Sequence, residues 1–136
     1  MEVAVPMCAD FLHPGHLRLL EAAAKHGKVT VWLMTDAAMQ TYKRKPFFKY
    51  ADRKDILLAL NLVHAVVPID HHPRQFPESI LKYRPGVFVH GDDWKQGVQS
   101  QARENVIKAL NNYGGKLVEP GYTKGISSSQ IHECMT

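Results

Sequence analysis

Cysteine is scarce in this sequence of 136 residues: Cys8 and Cys134 are the only two. One pair cannot frame a small secreted fold, so stability has to come from a hydrophobic core. Long apolar runs are missing too, and none approaches the ~20 residues that a membrane-spanning helix needs. The N-terminus has no basic stretch leading into an apolar one, so a cytoplasmic protein without a leader is expected. Charge of one sign is also in short supply. Seventeen Lys and Arg against thirteen Asp and Glu leave +4, with eight His that add charge at lower pH. That balance suits small anionic ligands and falls short of a nucleic-acid footprint unless the charge clusters. With 45% apolar and 22% charged residues the chain is not of disordered composition. No repeat, linker or low-complexity tract divides it, and residues 1–136 read as one domain.

What is present is an alternation of apolar strands and amphipathic helices. Glu2 to Cys8 reads as a buried strand, with Pro6 as an irritant. Pro14 suits the first position of a helix whose apolar face is Leu17, Leu20, Ala23 and Ala24, ended by Gly27. Lys28 to Met34 is a second strand rich in β-branched residues. A basic loop, Tyr42 to Lys49, precedes a helix from about Ala51 to Leu62 and a short strand from Ala65 to Ile69. Then follow a short helix near Pro77 to Lys82, a strand at Val87 to His90, a helix from Gln99 to Tyr113 and a strand at Lys116 to Glu119, with Ser127 capping a last helix. Such a repeat predicts an α/β domain with a single, doubly wound, Rossmann-like parallel sheet of five strands. Ligands are expected where strand carboxyl ends meet helix N-termini.

The first such place is Cys8-Ala-Asp-Phe-Leu-His-Pro-Gly-His16. Gly15 permits close backbone approach, and the helix beginning there directs free N–H groups and its positive dipole end at the sheet edge. His13 and His16, three residues apart, would share one crevice and donate hydrogen bonds to phosphate oxygens. The competing reading is a helix start with incidental histidines. A zinc site drawn from His13, His16, His71, His72 and His90 is disfavoured, because the pair lacks the i, i+4 spacing and adjacent Glu of helical zinc motifs.

Asp92, Asp93 and Trp94 follow the fourth strand, where a ribose, a base or a hydrated Mg²⁺ would be met; the plainer alternative is two turn acids and a core aromatic. Gly125 and the hydroxyls that follow form either a second anion cradle or an ordinary helix cap. Lys43, Arg44, Lys45 and Lys49 make a solvated face or an RNA patch, with Phe47, Phe48 and Tyr50 either stacking on bases or anchoring the loop.

Taken together, His13-Pro-Gly-His16 and Gly125-Ile-Ser-Ser-Ser129 resemble the paired signatures of the HxGH nucleotidyltransferase superfamily. Within it, Tyr50-Ala-Asp-Arg-Lys54 and Val87-Phe-Val-His-Gly-Asp-Asp-Trp94 look like the glycerol-3-phosphate cytidylyltransferase group. Met7-Cys-Ala-Asp10, Thr41-Tyr-Lys-Arg44, His90-Gly-Asp-Asp-Trp-Lys95 and Tyr122-Thr-Lys-Gly-Ile-Ser-Ser128 are most similar to nucleotidyltransferase domains attached to phosphoenolpyruvate mutases in phosphonate biosynthesis. The resemblance implies catalytic roles for His13, His16, Lys45 and Arg53. It implies nucleotide contacts from Cys8, Ala9, Asp10, Gly15, His90, Gly91, Asp92, Asp93, Trp94, Thr123, Gly125, Ile126, Ser127 and Ser128. Lys43, Arg74 and Tyr122 are expected at the acceptor.

Two departures stand out: Cys8-Ala9-Asp10 where the family often has Thr-Phe-Asp, and Tyr122 and Lys124 in place of an Arg and a Glu before Gly-Ile-Ser. Both put the acceptor's identity in question and agree with the mutase-fused branch.

The implied reaction is transfer of CMP from CTP to a small phosphonate, 2-hydroxyethylphosphonate first, with release of pyrophosphate. Mg²⁺ would enter through the CTP phosphates rather than through protein side chains. Glycerol 3-phosphate and phosphoethanolamine are the rival acceptors. An adenylyltransferase, an aminoacyl-tRNA synthetase of class I and a non-catalytic nucleotide- or RNA-binding module are the rival functions. A homodimer, and a place on a longer chain carrying the mutase, complete the expectation; no nucleic acid or membrane partner is expected.

Overall fold

The computed structural model describes residues 1–91, 94 and 99–121. Five parallel strands, β1 (Glu2–Met7), β2 (Lys28–Met34), β3 (Val63–Ile69), β4 (Val87–Val89) and β5 (Lys116–Val118), lie in the order β3-β2-β1-β4-β5. The helices are α1 (Pro14–Ala24), α2 (Asp36–Gln40), α3 (Tyr50–Leu58), α4 (Phe76–Tyr83), preceded by a 3-10 turn at Pro73–Gln75, and α5 (Ser100–Asn111). The chain therefore starts in the middle of the sheet and winds outward twice, the arrangement that leaves a crevice between β1 and β4.

Two cores flank the sheet because successive residues of a buried strand face opposite sides. Val3, Val5, Val29, Val31 and Leu33 pack with Leu20, Ala23 and Leu57 of α1 and α3. Ala4, Trp32, Met34 and Phe88 pack with Ile80, Val106 and Leu110 of α4 and α5. Trp32 meets Phe88 edge-on at 5.5 Å in this second core. Gly27, at φ 153°, ends the α1 connection; a Cβ there would strike the Met1 carbonyl, which accepts from Lys28 N.

Pro6 stands inside the central strand for a reason visible in the ladder. Met1 carbonyl accepts from Lys28 of β2 and Glu2 carbonyl from Gly86, just before β4, so even-numbered residues of β1 face β4. Pairing between β1 and β4 stops at Ala4 and Phe88. Pro6 thus lacks its N–H where the two strands have already parted and no ladder bond is needed.

Two differences from the expected elements stand out. Helix α3 ends at Leu58 and β3 starts at Val63, because the stretch from Leu57 to Val63, apolar except for Asn61, serves a helix end and a strand start alike. Helix α2, capped by the Thr35 hydroxyl accepting from Ala38 N at 3.1 Å, is a single short turn that periodicity does not announce. The expected last helix at Ser127 lies outside the described residues.

Candidate active site

The chain leaves β1 through Ala9, whose φ of 53° is left-handed, a conformation that costs a non-glycine residue about 1–2 kcal/mol. This turn aims the following residues across the sheet edge to the start of α1. There His13 is the N-cap: its Nδ1 accepts from Gly15 N at 3.0 Å, and His16 Nδ1 accepts from His13 N at 3.2 Å. The two imidazoles form the reciprocal cap usually made by Ser/Thr and Glu/Gln. Their rings lie 4.0 Å apart.

Chemistry follows from this cap. Each Nδ1 lone pair is occupied by a backbone N–H, so each neutral ring carries its proton on Nε2 and presents a donor. Burial lowers the His13 pKa; burial, then His13 and Lys43, bring that of His16 down to about 4. Near neutral pH the site thus holds two uncharged imidazole donors at a helix N-terminus, beside Lys43.

The loop from β2 to α3 is held in place by two buried charges. Asp10 accepts from the backbone N–H groups of Phe47 and Phe48, each at 2.9 Å, with the Arg44 guanidinium at 3.5 Å. Arg53 is 0% exposed. Its Nε donates to Phe48 O, its Nη1 to Cys8 O and Met34 O, and its Nη2 to Asp36 at 2.7 Å. One guanidinium therefore ties together the ends of β1 and β2, the start of α2 and the loop.

These elements enclose a cleft of about 770 Å³. Its floor is the end of β1 from Pro6 to Ala9, and His13, Gly15, His16 and Arg18 of α1 form its centre. On the β4 and β5 side stand His90, Gly91, Trp94 and Pro120. The His90 ring stacks on Trp94 at 3.7 Å with an interplanar angle of 12°. Trp94 donates its indole N–H to Glu119, itself gripped by Arg103 through two bonds of 2.8 and 2.9 Å. On the β2 and β3 side stand Tyr42, Lys43, His72 and Arg74. Tyr42 shares a 2.9 Å hydrogen bond with the Cys8 thiol, and burial, then Cys8, push its pKa up. Among the described residues no carboxylate lines this cleft.

Comparison with known proteins agrees with this architecture. A family model described as cytidylyltransferase-like matches residues 6–134. The chain belongs to the cytidylyltransferase-like family. As a member it is a nucleotidyltransferase with the five-stranded parallel fold of that class. A glycerol-3-phosphate cytidylyltransferase of Bacillus spizizenii is 34% identical over 93% of this chain and 90% of its own length. The bifunctional protein HldE of Caulobacter sp. is 35% identical over 91% of this chain but 25% of its own length, so the chain spans about a quarter of that relative. Among solved structures, a lipopolysaccharide core biosynthesis protein of Thermoplasma volcanium has a TM-score of 0.71 at 19% identity, covering 93% of this chain and 98% of its own. Pantothenate synthetase of Thermus thermophilus follows at 0.66 and 14%, covering 96% of this chain and 60% of its own. Both likenesses concern the fold.

The cleft of this cytidylyltransferase-like chain gathers Cys8, Ala9, His13, Gly15, His16, Lys43, Arg74, His90, Gly91 and Trp94 of the residues expected from the sequence. Three expectations need correction. Arg53 is expected to touch substrate, but the structure buries it and turns its donors onto backbone carbonyls and Asp36, which makes it a positioning residue. Asp10 is likewise expected at the nucleotide and instead spends both oxygens on the loop backbone. Lys45 is exposed and not part of the cleft wall, whereas Lys43, two residues earlier, is.

Asp92, Asp93, Tyr122, Thr123, Gly125, Ile126, Ser127 and Ser128 lie outside the described residues. Sequence reasoning passed over Tyr42 and His72 as contributors to the cleft and Glu119 as the support of Trp94. The signal for His72 was its place before Pro73, immediately after a strand end.

Proposed function

We propose that the chain transfers CMP from CTP to a small phosphonate, with 2-hydroxyethylphosphonate as the leading acceptor. The observation that carries this reading is the pair of Nε2–H donors that the cap fixes on His13 and His16, side by side at a helix N-terminus. The family and the relative named for glycerol 3-phosphate support CTP. The likeness to mutase-attached domains, from Met7-Cys-Ala-Asp10 to the Tyr122 segment, supports the phosphonate. That same likeness supports a longer polypeptide carrying a phosphoenolpyruvate mutase, and the resemblance to the wider family supports assembly as a homodimer. The 34% identity with the Bacillus spizizenii relative favours glycerol 3-phosphate as second acceptor.

An oxygen of the acceptor dianion attacks the α-phosphorus of CTP, a new P–O bond forms, and the bond to the β-phosphate oxygen breaks in line to release pyrophosphate. The nucleophile is already deprotonated near pH 7, so no general base is required. The obstacle is mutual repulsion of two anions. The imidazole donors, Lys43 and the amide groups of the first turn of α1 meet the charge that grows on the α-phosphate oxygens. Since the described cleft wall offers no carboxylate, Mg²⁺ is assigned to the substrate as the magnesium complex of CTP, not to a resident site.

Replacing His16 by Ala is expected to lower pyrophosphate release from CTP plus acceptor by ~10²–10³. Near-normal turnover in that variant would overturn the role of the pair. Absence of pyrophosphate release by the wild type, across CTP, ATP and the three acceptors, would leave a nucleotide-binding module instead. Binding that falls steeply with salt would point to RNA.

A further inference from the structure

The β2 and β3 side of the cleft carries two cations that have no partner among the described residues. Lys43 follows α2, Arg74 sits on the 3-10 turn after β3, and both line the same cleft. Among the described residues neither makes an ion pair or a side-chain hydrogen bond. Three other arginines have structural tasks. Arg44 and Arg53 hold the loop, and Arg103 holds Glu119. Arg74 is solvent-facing, and it and the capping His72 are the polar residues of this turn that line the cleft.

His72 completes the group. Its Nδ1 accepts from Arg74 N at 3.1 Å, which caps the turn and leaves the Nε2 proton as a donor. The Tyr42 and His72 rings pack in a T-shaped arrangement with centroids 5.4 Å apart. Burial, Arg74 and His71 lower the His72 pKa, so the ring stays a neutral donor beside the guanidinium. His71 does not join: its Nδ1 donates to His72 O and its Nε2 accepts from Ser79.

Resting on the cytidylyl-transfer reading above, in which Lys43 serves the α-phosphate, we propose that Arg74, with His72, seats the dianionic head of the acceptor and makes this turn the determinant of acceptor selection. On the opposite side the half-buried His90 ring, backed by the buried Trp94, is the aromatic surface suited to a base. His13 and His16 stand between the two sides. An acceptor on the Arg74 side therefore approaches the histidine pair from the direction that the nucleoside leaves open. A dianionic phosphonate or phosphate has three oxygens. Two can be held by the planar guanidinium fork, a geometry lysine cannot reproduce. The third remains to attack.

The test is steady-state kinetics on Arg74→Ala and Arg74→Lys at saturating CTP, with 2-hydroxyethylphosphonate and glycerol 3-phosphate as acceptors. In the Ala variant kcat/KM for the acceptor should fall about 10- to 100-fold while KM for CTP stays within about twofold. Arg74→Lys should recover part of the loss. Unchanged acceptor kcat/KM in Arg74→Ala, or equal losses for CTP and acceptor, would overturn the proposal while the wild type still releases pyrophosphate and the function stands. If the wild type releases none, the function fails, and calorimetry with ethylphosphonate still reads the seat. Binding by the wild type that Arg74→Ala abolishes upholds it, and equal binding or none by the wild type rejects it.

Discussion

At the scale of single residues, the two histidines of the first turn of α1 show how a cap sets a protonation state. A ring that accepts a backbone N–H through Nδ1 must lose that bond to become imidazolium, and burial acts in the same direction. His16 titrates near 6.5 when unfolded and near 4 when folded. Between those values the unfolded chain holds more protons, so stability rises with pH. The contribution is complete above about pH 6.5 and is lost as pH falls towards 4. Its size is on the order of 3 kcal/mol. Urea unfolding at pH 7 and pH 4.5 should show that loss in the wild type and a smaller one in His16→Asn; equal pH dependence in both would refute the assignment.

His13, Gly15 and His16 could be found in the sequence because strand end, Pro and Gly fall at fixed offsets. The task of Arg53 could not. Position along a helix gives no sign that its donors would face inward to three carbonyls rather than outward to a phosphate. Asp10 misled in the same way, since a carboxylate beside a phosphate loop looks like a ligand contact until the amides it satisfies are seen.

At the scale of elements, the β2–α3 loop is long and basic yet lies at a set position, because a buried carboxylate accepts two of its amides. Asp10→Ala removes both acceptors at once, and each stranded buried donor costs about 1–3 kcal/mol. A stability loss of several kcal/mol is expected in chemical denaturation, together with a raised KM for CTP as Lys43 loses its place. Stability within about 0.5 kcal/mol of the wild type would show that the loop is held by its aromatic contacts instead. Phe11, Phe47 and Phe48 are those contacts, with ring centroids 4.9 to 6.3 Å apart. Phe47 remains 63% exposed, so it leaves most of its hydrophobic stabilisation unused.

Strands β1 and β2 were readable to within one residue, since β-branched and apolar residues buried on both faces have few other uses. Helix α2 and the boundary between α3 and β3 were not. In the first case five residues are too few for a period. In the second a single apolar run is shared by two elements.

At the scale of the whole molecule, both cores share the same strands, so neither can melt alone. Calorimetry should therefore show one cooperative transition, with a heat-capacity change of about 1.6–2.0 kcal/mol/K for 136 residues. Two resolved transitions would mean that the helices on one face come away independently. Alternation of strand and helix was enough to predict the parallel sheet. The order β3-β2-β1-β4-β5, which puts the crevice beside β1, became visible only with the fold.

The proline in the innermost strand has one last consequence. A ring nitrogen cannot be persuaded to zip the sheet further, so the gap above Ala4 and Phe88 is secured by covalent structure rather than by a balance of weak forces. An arriving ligand finds its berth already pried apart, and none of its affinity goes into wedging strands from one another.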